Sequence, residues 1–264
     1  MSDTPILSVT MVREGAVAWI TLENSARMNA LTASMWAAIP GLMAEAESDA
    51  DIRVIVLRGA GQKAFCAGAD ISEFESARTG DAAQTYDALN HAAFEAISGA
   101  SKPVIAMIHG FCLGGGLGLA AVCDIRLADD VSQYSIPAAK LGLGYPPRWV
   151  RPLLALAKPA HVKELLFTGR RFKAPDALAM GLVNRIIPAD QLEEATRALA
   201  AEIAANAPLT IRASKLTIDE LTAKPEHPDA MRLNAAAEAC FASDDYIEGR
   251  RAFLEKRTPK FEGK

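Results

Sequence analysis

Gly114-Gly115-Gly116-Leu117-Gly118 is the stretch of this chain best suited to chemistry. It follows an apolar run, Val104 to Ile108, and opens another, Leu119 to Cys123, so it reads as a buried strand feeding a glycine turn that starts a helix. A helix start leaves its first N–H groups unpaired and carries the positive end of the helix dipole. Such a turn can hold an anion, or an oxyanion that develops during a reaction. A second loop of small residues, Ala64-Phe65-Cys66-Ala67-Gly68-Ala69-Asp70, ends the preceding strand unit. One amide from each loop would form an oxyanion hole, where loss of a single donor raises a barrier by about 2.7–4 kcal/mol.

Phosphate-binding readings of the same glycines fit less well. A P-loop needs Gly-Lys-Ser/Thr at the close of the turn, and Leu117-Gly118-Leu119 supplies neither cation nor hydroxyl. Gly116-x-Gly118-x-x-Ala121 matches a dinucleotide fingerprint, but the strand ends too early and no acidic residue follows at the expected spacing. Glycines that merely let a helix pack close to a strand are the bland alternative, and an isolated triplet would favour it. The second loop is what favours chemistry.

These loops need a scaffold. Arg53 to Gly59, Val104 to Ile108 and Ile125 to Ala128 read as buried strands, and Gly15 to Leu22 alternates like a half-buried one. Met28 to Glu47 has helical spacing with Thr32 as N-cap, and Ile71 to Gly99 is mostly helical and polar enough for a movable wall. Gly142 to Pro147 reads as a loop, and from Ala189 onward the pattern is almost wholly helical. The alternation predicts an α/β core, residues 1–188, with parallel strands buried on both faces, and a helical carboxy-terminal region, residues 189–264.

Composition narrows the partner. The chain has 264 residues, 50% of them hydrophobic, and a net charge of -4, which favours a filled core and a small-molecule partner over nucleic acid or an anionic membrane. Its four cysteines, Cys66, Cys112, Cys123 and Cys240, form no C-x-x-C pair, so no zinc site is expected and a reducing compartment is. Met1 to Pro5 lacks a basic and apolar leader, and a cytoplasmic protein is expected.

Through Met28-Asn29-Ala30-Leu31, Ala64 to Asp70, Lys102 to Asp124, Thr168-Gly169-Arg170-Arg171-Phe172, Gly181-Leu182-Val183-Asn184-Arg185 and Phe253-Leu254-Glu255-Lys256-Arg257, the chain closely resembles the crotonase superfamily of enoyl-CoA hydratases and isomerases. The resemblance implies a spiral of β-β-α repeats with a helical trimerisation region, in a trimer or a dimer of trimers. It implies a coenzyme A thioester as substrate, with no permanently bound cofactor and no metal. Position by position, it makes the Ala69 and Gly115 amides the oxyanion hole and the Ala67 carbonyl an adenine contact. Arg27 becomes a basic residue near the nucleotide, Asp70 and Ile71 join the CoA-binding loop, and Phe253 and Lys256 reach in from a neighbouring subunit.

Two positions depart from that pattern. Hydratases of the family carry a glutamate two residues after the glycine triplet and another after the proline that follows the next strand; here these are Gly118 and Ala138. A positioned acid or base contributes about 10²–10⁴-fold, which counts against standard hydration and against isomerisation through the second glutamate. The 4-chlorobenzoyl-CoA dehalogenases of the superfamily share the glycine run, but their aspartate and tryptophan fall at Pro146 and Ala138, excluding that chemistry. Gly144-Tyr145-Pro146-Pro147-Arg148-Trp149 would stiffen and fill the acyl end of the pocket.

Tyr145 is the candidate proton donor, weighed against a packing role. Asp70, Glu73 and His91 flank the wall helix, with His91 expected to face solvent; His109 is expected to order the turn and Asp124 to buttress the helix end. The leading reading is an acyl-CoA enzyme, a lyase or isomerase, that stabilises a thioester enolate. The alternative is an acyl-CoA-binding protein that is inactive or repurposed.

Overall fold

The computed structural model describes residues 7–73 and 81–264. The side chains of residues 71 and 81–83 lie outside that description, as do the amino-terminal leader reading and part of the wall-helix segment.

Six strands form the main sheet: β1 (Ser8–Glu14), β2 (Val17–Glu23), β3 (Val54–Gly59), β5 (Val104–Ile108), β7 (Ile125–Asp129) and β10 (Arg185–Ile187), side by side in that order. Only the β1–β2 hairpin is antiparallel; every other neighbouring pair is parallel. The near-continuous apolar runs of β3 and β5 follow from burial on both faces. Alternate residues go to different cores. Ile55, Leu57, Val104, Ala106 and Ile108 pack with helix α1 (Ala33–Ser48), whereas Val54, Val56, Ile105 and Met107 pack with Trp19, Leu192 and Ala200.

A smaller sheet holds β4 (Ala64–Cys66), β6 (Phe111–Leu113), β8 (Gln133–Ser135) and β9 (Phe172–Lys173), the first three mutually parallel. Each repeat sends one strand to the large sheet and the next to the small one: β3 then β4, β5 then β6, β7 then β8. After the first two pairs come helices α2 (Asp81–Ser98) and α3 (Gly115–Val122). The expected β-β-α spiral is therefore present.

The sequence reading of a strand running straight into the glycine turn is corrected here. His109 and Gly110 carry the chain from β5 across to β6, and the turn follows β6. Gly110 is at φ +58, and a Cβ there would collide with the Lys63 carbonyl, so only glycine makes this crossing.

Helix α1 also starts later than its periodicity suggested. Thr32 is the N-cap, its side chain accepting from Met35 N at 3.3 Å, but Met28 and Asn29 lie at φ 53 and 55. The Asn29 amide donates to Ala60 O and Ala64 O, tying this left-handed turn to β4.

Helices α4 (Pro147–Leu156), α5 (Pro159–Thr168) and α6 (Ala174–Met180) follow the small sheet. Then α7 (Leu192–Ala204) covers the second face of the large sheet through Leu192 and Ala200. Helices α8 (Pro208–Ala223), α9 (Ala230–Phe241) and α10 (Asp244–Glu255) complete the chain. Among the described residues no helix is long and apolar enough to cross a membrane.

Candidate active site

Because β4, β6 and β8 are parallel neighbours, their carboxyl ends lie side by side. Ala67–Ala69 leaves β4, Gly114–Gly115 leaves β6, and Ile136-Pro137-Ala138 leaves β8. All of these residues line one cavity of about 90 Å³, closed by Asn90 and Phe94 of α2 and by Leu141, Leu143, Tyr145 and Trp149.

Two backbone donors converge there. Gly68 is at φ +95, and a Cβ on it would stand 3.0 Å from Gly115 N, so the β4 loop can approach the start of α3 only as glycine. The neighbouring bridge uses Gly68 O, which accepts from Leu31 N at 2.7 Å, and Asp70 N, which donates to Leu31 O at 2.9 Å. Ala69 N is skipped and donates to no acceptor among the described residues. Gly115 is the first residue of α3, where an N–H has no intrahelical partner. At the other end of α3, the buried Arg126 guanidinium donates to Cys123 O at 2.6 Å, a cation on the negative end of the dipole.

Cys66 sits beneath this loop, its Sγ accepting from Gly68 N at 3.3 Å. Burial pushes its thiol up to about 12, so it is a neutral packing group and not a nucleophile.

The other sequence candidates fall into separate groups. Tyr145 is on the cavity wall, its ring edge-on to Trp149 with centroids 5.3 Å apart. Asp70 is buried beside the cavity and accepts from Arg27 at 2.7 Å and from the Ser72 hydroxyl at 2.7 Å. Burial would raise its pKa, but the Ser72 and Arg27 hydrogen bonds outweigh it and hold the carboxyl below the usual range. Glu73 accepts from Ala33 N at 2.8 Å, at the start of α1. His91 is half-buried, with Nε2 3.3 Å from Glu95 Oε1. Asp124 accepts from Val104 N and from Lys215, joining β5 to α8. Phe253 and Lys256 are distant in kind: Phe253 is exposed and lines a different, open cavity of about 1030 Å³ among α8, α9 and α10, and Lys256 caps α10. The Ile71 side chain lies outside the described residues.

The loop read at Gly142–Pro147 runs to Pro146, and Pro147 is the first residue of α4, a position that suits its fixed φ. Asn90 and Phe94 escaped the sequence reading altogether. They are four residues apart on one face of α2, and the signal was an asparagine on an otherwise apolar stripe.

His109 is buried at the β5–β6 crossing. Burial first, and then the Arg58 charge, push its imidazole below the ordinary value of 6.5, against a hydrogen bond to the Gly61 backbone. The unfolded chain therefore binds a proton on this residue at a higher pH than the folded chain does. Stability from this group is complete well above pH 6.5 and is lost as pH falls below it. A His109→Gln variant is expected to show a smaller loss of urea midpoint between pH 7.5 and pH 5.5 than the parent; an equal loss would show that His109 is not the group responsible.

Residues 12–264 match the enoyl-CoA hydratase/isomerase family. The chain belongs to that family, the crotonase superfamily. It is 34% identical over 259 residues to the short-chain-enoyl-CoA hydratase of Clostridium acetobutylicum, covering 97% of each chain. It is 32% identical to the carnitinyl-CoA dehydratase of Proteus mirabilis, over 97% of this chain and 99% of that one. A crystal structure of an enoyl-CoA hydratase/isomerase family protein from Hyphomonas neptunium superposes with a TM-score of 0.92 at 41% identity, covering 96% of this chain and 97% of that one. The fold is thus the crotonase fold.

Within this crotonase, no carboxylate is among the described residues lining the cavity, and Tyr145 is the one titratable side chain among them. The place above Gly118 is filled. A Cβ on Gly118 would lie 2.8 Å from Phe94 Cζ.

Proposed function

We propose that this crotonase binds a coenzyme A thioester with its carbonyl oxygen between Ala69 N–H and Gly115 N–H, and stabilises the enolate that forms there. The observation that carries the reading is the pair of unpartnered amides drawn together by Gly68 at the start of α3. Charge on the thioester oxygen grows toward the enolate, so donors fixed at that point favour the transition state over the ground state. No carboxylate is among the described residues lining the cavity, and proton transfer falls to the Tyr145 phenol or to solvent.

In this reading Arg27, Ala67, Asp70 and Ile71 hold the nucleotide end of the ligand. The chain works as a cytoplasmic trimer or dimer of trimers, with Phe253 and Lys256 completing the site of a neighbouring subunit. The 83% exposure of Phe253 and the 79% exposure of Leu254 support such an interface.

Gly115→Pro tests the hole, with thermal melts alongside because a Cβ there would stand 3.2 Å from the Trp36 ring. It removes one N–H at the first position of a helix, where proline is well tolerated. Turnover of a responsive CoA thioester, identified by mass spectrometry of its products, is expected to fall about 10²–10³-fold. If calorimetry detects no binding of any CoA thioester to the parent protein, the reading is wrong.

A second reading, an acyl-CoA-binding protein without catalysis, is favoured by Gly118, Ala138 and the Phe94 ring in the first glutamate's space. Binding without turnover across a thioester panel would select it.

A further inference from the structure

The cavity at the glycine turn holds about 90 Å³, and its wall is apolar through Phe94, Ile136, Pro137, Leu141 and Leu143. The volume limits what can enter. A cavity of roughly 150 Å³ lined by aliphatic and aromatic side chains holds one benzene molecule, or about 25 Å³ for each carbon. At the same density this cavity takes about three or four carbons.

The wall resists widening. Phe94 and Trp149 are the largest buried side chains on it, at 8% and 7% exposure, and each is backed by a second ring. Phe94 meets Trp36 edge-on at 5.8 Å, and Trp36 Nε1 donates to the Tyr86 hydroxyl at 3.0 Å. Trp149 meets Tyr145 edge-on at 5.3 Å, and Pro146 and Pro147 fix the backbone that leads into α4. Ile136 and Ala138, also on the wall, belong to the buried core. A close-packed surround of this kind yields little, and extra methylene groups forced into it push neighbours off their rotamers.

We infer that Phe94 and Trp149 are specificity-determining residues that restrict the substrate to a short aliphatic acyl group of no more than about four carbons. The inference rests on the thioester-binding reading above and adds to it the size and class of the acyl group. Ala69 and Gly115 line the same cavity, so a longer chain or a phenyl ring would hold the thioester carbonyl away from their N–H groups.

Calorimetry of the full chain with acetyl-CoA, butyryl-CoA, hexanoyl-CoA and benzoyl-CoA tests it. Butyryl-CoA is expected to bind about 15-fold more tightly than acetyl-CoA, since each buried methylene contributes about fourfold. Hexanoyl-CoA and benzoyl-CoA are expected to bind at least about tenfold more weakly than butyryl-CoA, the effect of overpacking. Phe94→Ala and Trp149→Leu each enlarge the cavity, and each is expected to bring hexanoyl-CoA level with butyryl-CoA or above it. A merely structural role would weaken all the ligands alike. Thermal melts report whether each variant folds, and the parent's own series decides the matter if neither does. A parent that binds hexanoyl-CoA or benzoyl-CoA as tightly as butyryl-CoA overturns the inference and leaves the thioester reading intact. Folded variants that keep the parent's order of ligands also overturn it. If no ligand of the series binds, the thioester reading itself falls, and the inference with it.

Discussion

A Gly118→Glu variant is expected to be less stable than the parent and to gain no hydratase activity, although it introduces a carboxylate in the first turn of α3. The obstacle is steric. A Cβ on Gly118 would lie 2.8 Å from Phe94 Cζ and 3.4 Å from Phe94 Cε1, and the ring cannot easily retreat. Trp36 meets it edge-on at 5.8 Å and 87°, and Trp36 Nε1 in turn donates to the Tyr86 hydroxyl at 3.0 Å. Overpacking of this kind costs about 1–3 kcal/mol. Phe94→Ala alone leaves a void and costs about 3–5 kcal/mol. Combined, the two should cost less than their sum, because each relieves the other's fault; residues in contact couple by about 0.5–3 kcal/mol. Urea denaturation of the four proteins measures the coupling, and strictly additive costs would show that Phe94 does not hold the space.

Gly116→Ala should do more harm with a smaller side chain. Its Cβ would collide with the Cys66 carbonyl oxygen and lie 2.7 Å from Cys66 Cβ. These atoms belong to β4 and cannot rotate aside, so α3 and the β4 loop must separate. The cost is expected at or above the top of the range of about 1–3 kcal/mol for overpacking. Separation also draws Gly115 N–H away from Ala69 N–H, so CoA-thioester affinity should fall together with the melting temperature. Gly144→Ala is the matched control, since a Cβ there meets nothing within 4 Å, and it should change stability by no more than about 0.5 kcal/mol. A Gly116→Ala protein as stable as this control would show that β4 and α3 are not in contact as described.

The parts that carry a periodic or chemical signature were legible in the sequence. β5 is an uninterrupted apolar run and β3 nearly one because both faces are covered, and Thr32 announced the start of α1 by its type. The β4 loop and the glycine turn announced themselves by runs of small residues, and the structure brings them within contact of each other through Gly68. The small sheet was not legible, because strands such as β6, with three residues, have no period to detect. The far wall was read only in part: Tyr145 and Trp149 line it as the Gly144–Trp149 segment suggested, but Asn90 and Phe94 join it from a helix whose placement is set by tertiary packing, and each is ordinary in its own segment. Met28 and Asn29 continued the helical pattern of α1, yet their left-handed turn is fixed by the Asn29 bonds to Ala60 and Ala64, residues more than thirty positions away.

The Phe94 ring above Gly118 also has a historical meaning. From a glycine and a phenylalanine in contact, a lineage that places glutamate at position 118 must change both, and either change alone passes through a less stable protein. Selection that removes unstable intermediates therefore closes that road. The glycine is a ratchet, held by a hydrocarbon ring, and new reactions on this scaffold are expected to arise from the Tyr145 side of the cavity, where no such pawl is set.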